Sequence, residues 1–380
     1  MFNLKKDFLL DRSVIFLNHG SFGATPKPVF KEYRRWQREL ENQPVEFLGR
    51  RHNDLMRASR EALANYVGTS AENLVYTQNA TIALNIVARS LDLKEGDQVL
   101  STNHEYGALD RTWRFLAKEK CFTYINQKVD LTSHDDFVKS FLQGVTANTK
   151  VIFLSHIASS TATIFPLEKI IQFAKTKNII TIIDGAHAPG QLDLNLDSLS
   201  ADFYSGNLHK WLCAPKGAGF LYANPKVQHL LKPLVVSWGY ESETPSNSKF
   251  IDYHEWQGTR DIAAFLTVPK AIAYQQEQDW VKVRGACHQL VIETWHHIYE
   301  LTKMNPLHSD PETWFAQMTV SSLPVNTNVA TLKQKLYDKY RIEIPVIDWH
   351  GNKLIRTSVQ GYNSRRDINR LIQALKKLLD

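Results

Sequence analysis

The chain has 380 residues, 43% of them hydrophobic and 22% charged. That is too long for a small stapled scaffold, too apolar for a disordered chain, and long enough to bury a core divided over more than one domain. Lysine and arginine number 45 against 39 aspartates and glutamates, and this excess of +6 is scattered and forms no basic block, so nucleic acid is not expected as a partner.

Near the start, Asp7, Asp11 and Arg12 interrupt an apolar stretch, which therefore lacks the unbroken core of a secretory signal. No later run approaches the roughly 20 apolar residues of a membrane helix, so no membrane association is expected. Cys121, Cys213 and Cys287 are odd in number and far apart, which offers neither a disulfide framework nor a CxxC metal cluster. A reducing cytoplasm and no bound metal are the expectation.

Residues 26–67 carry a helical period, with Pro26 and Pro28 ahead of Val29, Tyr33, Trp36 and Leu40. Seven short apolar runs then alternate with helical segments: Asn73–Thr77, Asp97–Ser101, Cys121–Ile125, Val151–Ser155, Ile179–Asp184, Asp202–Ser205 and Gly219–Ala223. Strands alternating with helices such as Ala80–Leu91 and Leu167–Lys177 predict a mainly parallel seven-stranded sheet in an α/β domain. The polar, serine-rich stretch Glu241–Lys249 reads as a mobile loop. Beyond it come helices at Phe265–Gln278 and Val281–Tyr299, a strand near Gln317–Leu323 and a helix at Thr331–Tyr340. Strands at Ile342–Ile347 and Lys353–Ser358 and a helix at Ser364–Leu379 complete a smaller α+β unit. The division is expected at 18–265 for the large domain, with 1–17 plus 266–380 as the small one.

In an open parallel sheet, ligands gather at the carboxyl ends of the strands. Ser205-Gly206-Asn207-Leu208-His209-Lys210-Trp211 follows one such strand, and Asp184-Gly185-Ala186-His187-Ala188-Pro189-Gly190 closes another. Alone, Lys210 reads as a solvated lysine and Asp184 as a cap or turn residue. Together they supply an amine for a Schiff base and a carboxylate for a pyridine nitrogen, the two requirements of a pyridoxal phosphate site. Thr77-Gln78-Asn79-Ala80-Thr81 joins a strand to a helix, a place for a phosphate at a helix N-terminus or for a plain N-cap.

These segments resemble the class V aminotransferases of fold type I, and within them the isopenicillin N epimerase-like branch, which includes C-S lyases and relatives of cysteine desulfurases. Leu17–Gly23, His104-Glu105-Tyr106, Trp256–Asp261 and Ile355–Asn363 extend the resemblance over nearly the whole chain. It implies that pyridoxal 5'-phosphate binds Lys210 as a Schiff base, pairs with Asp184 and accepts a hydrogen bond from His187. Tyr106 stands where a stacking aromatic is expected, and a half-buried core tyrosine is the structural alternative. Ala80, Thr81, Ser205 and His209 would hold the phosphate, joined by Gly258 and Thr259 from a neighbouring subunit, which implies a homodimer sharing its active sites. His156 would face the cofactor or be a satisfied structural histidine. Arg356 would clamp the α-carboxylate of an amino-acid substrate, with Asn18 and His19 lining the substrate side. His19 is open between a proton donor and a turn residue.

Lys210 would take the substrate Cα proton in every branch of this chemistry, so the motifs do not separate outcomes. Amino-acid epimerisation is taken first, C-S β-lyase chemistry on a cysteine derivative second and transamination third. Cysteine desulfuration is disfavoured, because Thr302–Asn363 contains no cysteine to accept sulfur. A non-catalytic dimer would have no use for Lys210, Asp184 and Arg356 in matched contexts.

Overall fold

The computed structural model describes residues 4–308 and 310–379. Its main sheet contains β1 (Leu74–Thr77), β2 (Gln98–Thr102), β3 (Thr123–Gln127), β4 (Thr149–Ser155), β5 (Ile180–Asp184), β6 (Phe203–Asn207) and β7 (Gly219–Ala223). The order is β1-β7-β6-β5-β4-β2-β3. β7 is antiparallel to both neighbours, and the remaining adjacent pairs are parallel. All seven expected strands are therefore present, with ends moved by one or two residues.

Helices cover both faces, which is why the strands read as continuous apolar runs. Alternate side chains serve opposite cores: Ile152 and Leu154 of β4 join one cluster, while Val151 and Phe153 join the other. The helical pattern expected over 26–67 divides into α1 (Lys27–Asn42) and α2 (His52–Val67). Pro44 supplies the reason, because the residue before a proline is driven out of the helical region, and Gln43 adopts φ −150° and ψ 78°.

A second sheet runs in the order β9-β10-β8, built from β8 (Met318–Ser322), β9 (Val346–Trp349) and β10 (Asn352–Ser358), all antiparallel. The long helix Trp280–Thr302 packs along β8. The strand expected over Ile342–Ile347 is split at Pro345, which has no N–H for a ladder. Its first part, Ile342–Glu343, pairs in parallel with Ile15–Phe16, tying the start of the chain to its C-terminal part. Among the described residues no helix is long and apolar enough to cross a membrane.

Two glycine turns grip the segment that follows β6. At Gly23 (φ +66°) an added Cβ would lie 2.0 Å from the His209 carbonyl oxygen and 2.8 Å from Lys210 Cα. At Gly190 (φ +92°) it would lie 2.3 Å from the Trp211 carbonyl. Both contacts are with backbone, which cannot swing aside. Gly23→Ala is therefore expected to cost about 2 kcal/mol or more through strain and displacement of the 209–211 backbone. Denaturant unfolding checks this, and an unchanged midpoint would refute the close approach.

Candidate active site

A cavity of about 530 Å³ opens at the carboxyl edge of the main sheet. Each parallel strand except the outer β3 contributes to it, or the loop that follows does: Gln78 to Thr81 after β1, Tyr106 after β2, Ser155 on β4, Asp184 on β5, and Asn207, His209 and Lys210 at and beyond the end of β6. The close spacing of parallel strands thus collects residues more than a hundred positions apart.

Lys210 is the only lysine on this wall, and its amine has no carboxylate in ion-pairing contact among the described residues. Its nearest polar partner is His187, with Nζ 3.1 Å from Nε2. Burial pushes the amine down to about 7; Asp184 opposes this shift and Arg356 adds to it. Asp184 is raised by its own burial, against the pull of the Ala186 N–H, which it accepts at 2.9 Å, and of Lys210. At both groups desolvation outweighs their mutual attraction. His187 is lowered well below the usual histidine range by burial and then by Lys210 and Arg356.

The helix Ala80–Ser90 begins at the cavity. Asn79 Oδ1 caps it by accepting from the Ile82 N–H at 3.0 Å, and Asn207 Oδ1 accepts from the Ala80 N–H at 2.9 Å. That leaves the Thr81 N–H and hydroxyl on the cavity wall at the positive end of the helix. Tyr106 is 44% exposed on the same wall. Its loop is anchored by the buried Glu105, which accepts from Thr102 Oγ1 at 2.7 Å and from Ser155 Oγ at 2.6 Å.

The cavity thus brings together Ala80, Thr81, Tyr106, Asp184, His187, His209 and Lys210. Seven other expected residues do not line it. Ser205, expected at the phosphate, donates its hydroxyl to the Phe220 carbonyl at 2.8 Å. β6 runs two residues further than the sequence indicates, so Asn207 occupies the edge instead. His156 Nδ1 lies 2.9 Å from the Tyr204 hydroxyl, the placement of a satisfied structural histidine.

His19 and Asn18, expected on the substrate side, stand behind the lysine. His19 Nε2 is 3.0 Å from the Lys210 carbonyl and Nδ1 is 2.9 Å from Tyr362 Oη, so both ring nitrogens are occupied, and burial pushes its pKa down to about 3. Asn18 donates to Glu343 Oε1 at 3.1 Å and accepts from Ser21 Oγ.

Arg356, on β10, is buried one layer back, donating to the Ser159 carbonyl and to Ser21 Oγ at 3.1 Å. Ser21 and Ser159 themselves line the cavity. The guanidinium faces no carboxylate in any ion pair among the described residues, and its Nε has no partner. Gly258 and Thr259 do not line the cavity of their own chain.

Gln78, Asn79, Asn207, Ser21, Phe22 and Ser159 also border the cavity. Most lie inside motifs the sequence displays, and position at a strand's carboxyl end was the signal for them. Ser159 had none. A larger groove, about 1000 Å³, lies elsewhere between Arg57 and Asp252; Arg60 and Glu255 on its wall pair with each other, and none of the expected site residues line it.

The aminotransferase class-V family model matches residues 15–371. The chain belongs to that family. It is 33% identical to the isopenicillin N epimerase of Amycolatopsis lactamdurans, covering 99% of this chain and 98% of that protein. It is 25% identical to the hercynylcysteine sulfoxide lyase of Schizosaccharomyces pombe, over 98% and 96%. Among solved structures, the cystine C-S lyase C-DES in complex with its reaction product cysteine persulfide superposes with a TM-score of 0.87 at 21% identity, over 97% and 99%. The architecture is that of fold type I, and the class-V enzymes use pyridoxal phosphate. The residues present suit that group: a buried amine, a buried carboxylate, a helix N-terminus with free donors, and the buried Gln78 Oε1 without a partner on the cavity wall.

Amine-directed labelling of Lys210 in the cofactor-free class-V enzyme is expected to show a midpoint near pH 7. Asp184→Asn should lower that midpoint further, because the lost carboxylate favoured the ammonium form. Mass spectrometry of the labelled peptide reads both, and a midpoint near 10.5 would refute the burial argument.

Proposed function

We propose that the protein binds an amino acid at pyridoxal phosphate and moves its Cα proton with Lys210 as the base, as an amino-acid epimerase of the isopenicillin N epimerase kind. The observation that carries this reading is the Lys210 amine, buried, free of any carboxylate ion pair and lowered to about 7 beside Asp184 and His187. An amine with that basicity is substantially neutral at physiological pH and accepts a proton readily. When bound, the cofactor supplies an electron sink for the Cα carbanion.

The protein's own residues provide the rest. Asp184 holds a protonated ring nitrogen, His187 donates toward the ring oxygen, and Tyr106 covers one ring face. Thr81 with the amides of its helix turn, assisted by His209, binds the phosphate, and Gly258 and Thr259 of a second copy complete that wall. The exposed apolar stretch that includes Val236 (66%) and Trp238 (85%) supports a homodimer, and three unbridged cysteines support a reducing cytoplasm. Arg356 clamps the substrate carboxylate, since a buried guanidinium without a carboxylate leaves its charge for a ligand. The division into residues 18–265 and 1–17 plus 266–380 belongs to the same reading, supported by the Ile15–Phe16 pairing; residues 1–3, 309 and 380 lie outside the described residues.

One observation favours a second reading, β-elimination from a cysteine derivative. Epimerisation delivers a proton to the face opposite the lysine, and His19, the histidine left open as a donor for it, has both ring nitrogens committed behind Lys210. Elimination needs only Lys210 as the proton carrier. Among the described residues no cysteine lines the cavity, which favours neither reading but leaves no thiol there to accept sulfur as a persulfide.

Proton NMR of the cofactor-loaded enzyme in D2O with a panel of amino acids and cysteine S-conjugates separates the outcomes. Loss of the α-proton signal with appearance of the other enantiomer is the expected result. Pyruvate and ammonia without racemisation would establish the elimination reading, and retention of the α-proton in every substrate would refute both. Arg356→Lys should raise KM about tenfold or more while changing kcat less, because a point charge replaces a two-pronged donor.

A further inference from the structure

The polarity of one hydrogen-bond chain is fixed by its first member. The Trp211 indole N–H is a donor only, and it points at His187 Nδ1 at 3.2 Å. His187 Nδ1 must therefore be the bare nitrogen. A neutral His187 then carries its proton on Nε2, and Nε2 lies 3.1 Å from Lys210 Nζ. Two donors cannot face one another at that distance, so the amine meets Nε2–H with its lone pair.

We propose that Trp211 is a positioning residue that locks His187 in the Nε2–H tautomer, holding it as an obligate donor toward Lys210 and, with pyridoxal phosphate bound, toward the cofactor's ring oxygen. The tautomer is a property of protein atoms alone; its use toward the cofactor rests on the reading of the cavity as the pyridoxal phosphate site. Trp211 is well suited to the task. Its side chain is fully buried, its backbone is held against Gly190, and its own carbonyl accepts from Gln275 Nε2 at 2.8 Å.

The alternative tautomer would reverse the chain. With the proton on Nδ1, Nε2 becomes an acceptor and stabilises an ammonium at Lys210, which opposes a neutral base. The other charged or titratable groups around the pair are Asp184 at the end of β5, Arg356 on β10, His209 beside the lysine and His19 from the N-terminal turn. None of them makes a hydrogen bond to either ring nitrogen of His187, so Trp211 is the residue that decides the tautomer.

The test uses the holoenzyme, labelled with 15N-histidine and assigned with His187→Gln. In the native protein, His187 Nε2 should be protonated and Nδ1 bare. Trp211→Phe keeps an aromatic ring and removes the donor, so protonated Nδ1 should appear. The pH midpoint of the bound cofactor's visible absorbance should then rise by about one unit, the scale of one hydrogen bond switched from donating to accepting. In a His187→Gln background, Trp211→Phe should leave that midpoint unmoved, which a merely structural effect would not do. A native His187 protonated on Nδ1 overturns the proposal even if Trp211→Phe fails to fold. So does an unchanged tautomer in Trp211→Phe, or an equal midpoint shift in the His187→Gln background. If pyridoxal phosphate does not bind, the same 15N measurement on the cofactor-free protein still decides the tautomer, so the two failures are distinguishable.

Discussion

Burial of the Lys210 amine is the constraint on which the rest of the site depends. An amine taken out of water without a carboxylate partner loses its proton more easily, and the surrounding structure must hold it there at some cost. The grip comes from several directions. Gly23 and Gly190 let two turns press on the backbone of residues 209–211, and His19 donates to the Lys210 carbonyl from behind. The N-terminal Leu17–Gly23 motif therefore acts on the lysine's backbone, although Ser21 and Phe22 at its far end reach the cavity wall.

The same logic runs through the cationic side of the site. Arg356 is carried by β10, far from the main sheet in sequence, and its guanidinium is held by the Ser159 carbonyl and the Ser21 hydroxyl, neither of which neutralises it. The buried Arg356 charge, which also lowers Lys210, has no carboxylate in ion-pairing contact among the described residues, so this side of the site is electrostatically incomplete without an anion. A phosphate and a carboxylate are the anions that the proposed cofactor and substrate bring.

Much of the architecture was legible in the sequence because its signals are local. Apolar runs bounded by helical periods place all seven strands, and Asp184 and Lys210 stand out at strand ends. Errors arose where an element's end mattered. The resemblance put the Ser205 hydroxyl at the phosphate, whereas β6 runs two residues beyond it, brings Asn207 to the edge and turns Ser205 to the Phe220 carbonyl. Pro44 and Pro345 broke elements that periodicity alone ran together.

By itself the sequence determined the fold class and the family, and it singled out Asp184 and Lys210 as candidates, since these rest on patterns within short windows. Only the tertiary structure decided what the histidines do. His19, His156 and His187 are chemically alike in the sequence, and their roles diverge because a tyrosine hydroxyl, a backbone carbonyl or an indole N–H from a distant segment occupies particular ring nitrogens. A histidine's chemistry depends on which nitrogen is left free, and that is settled by neighbours in space, which local patterning does not encode.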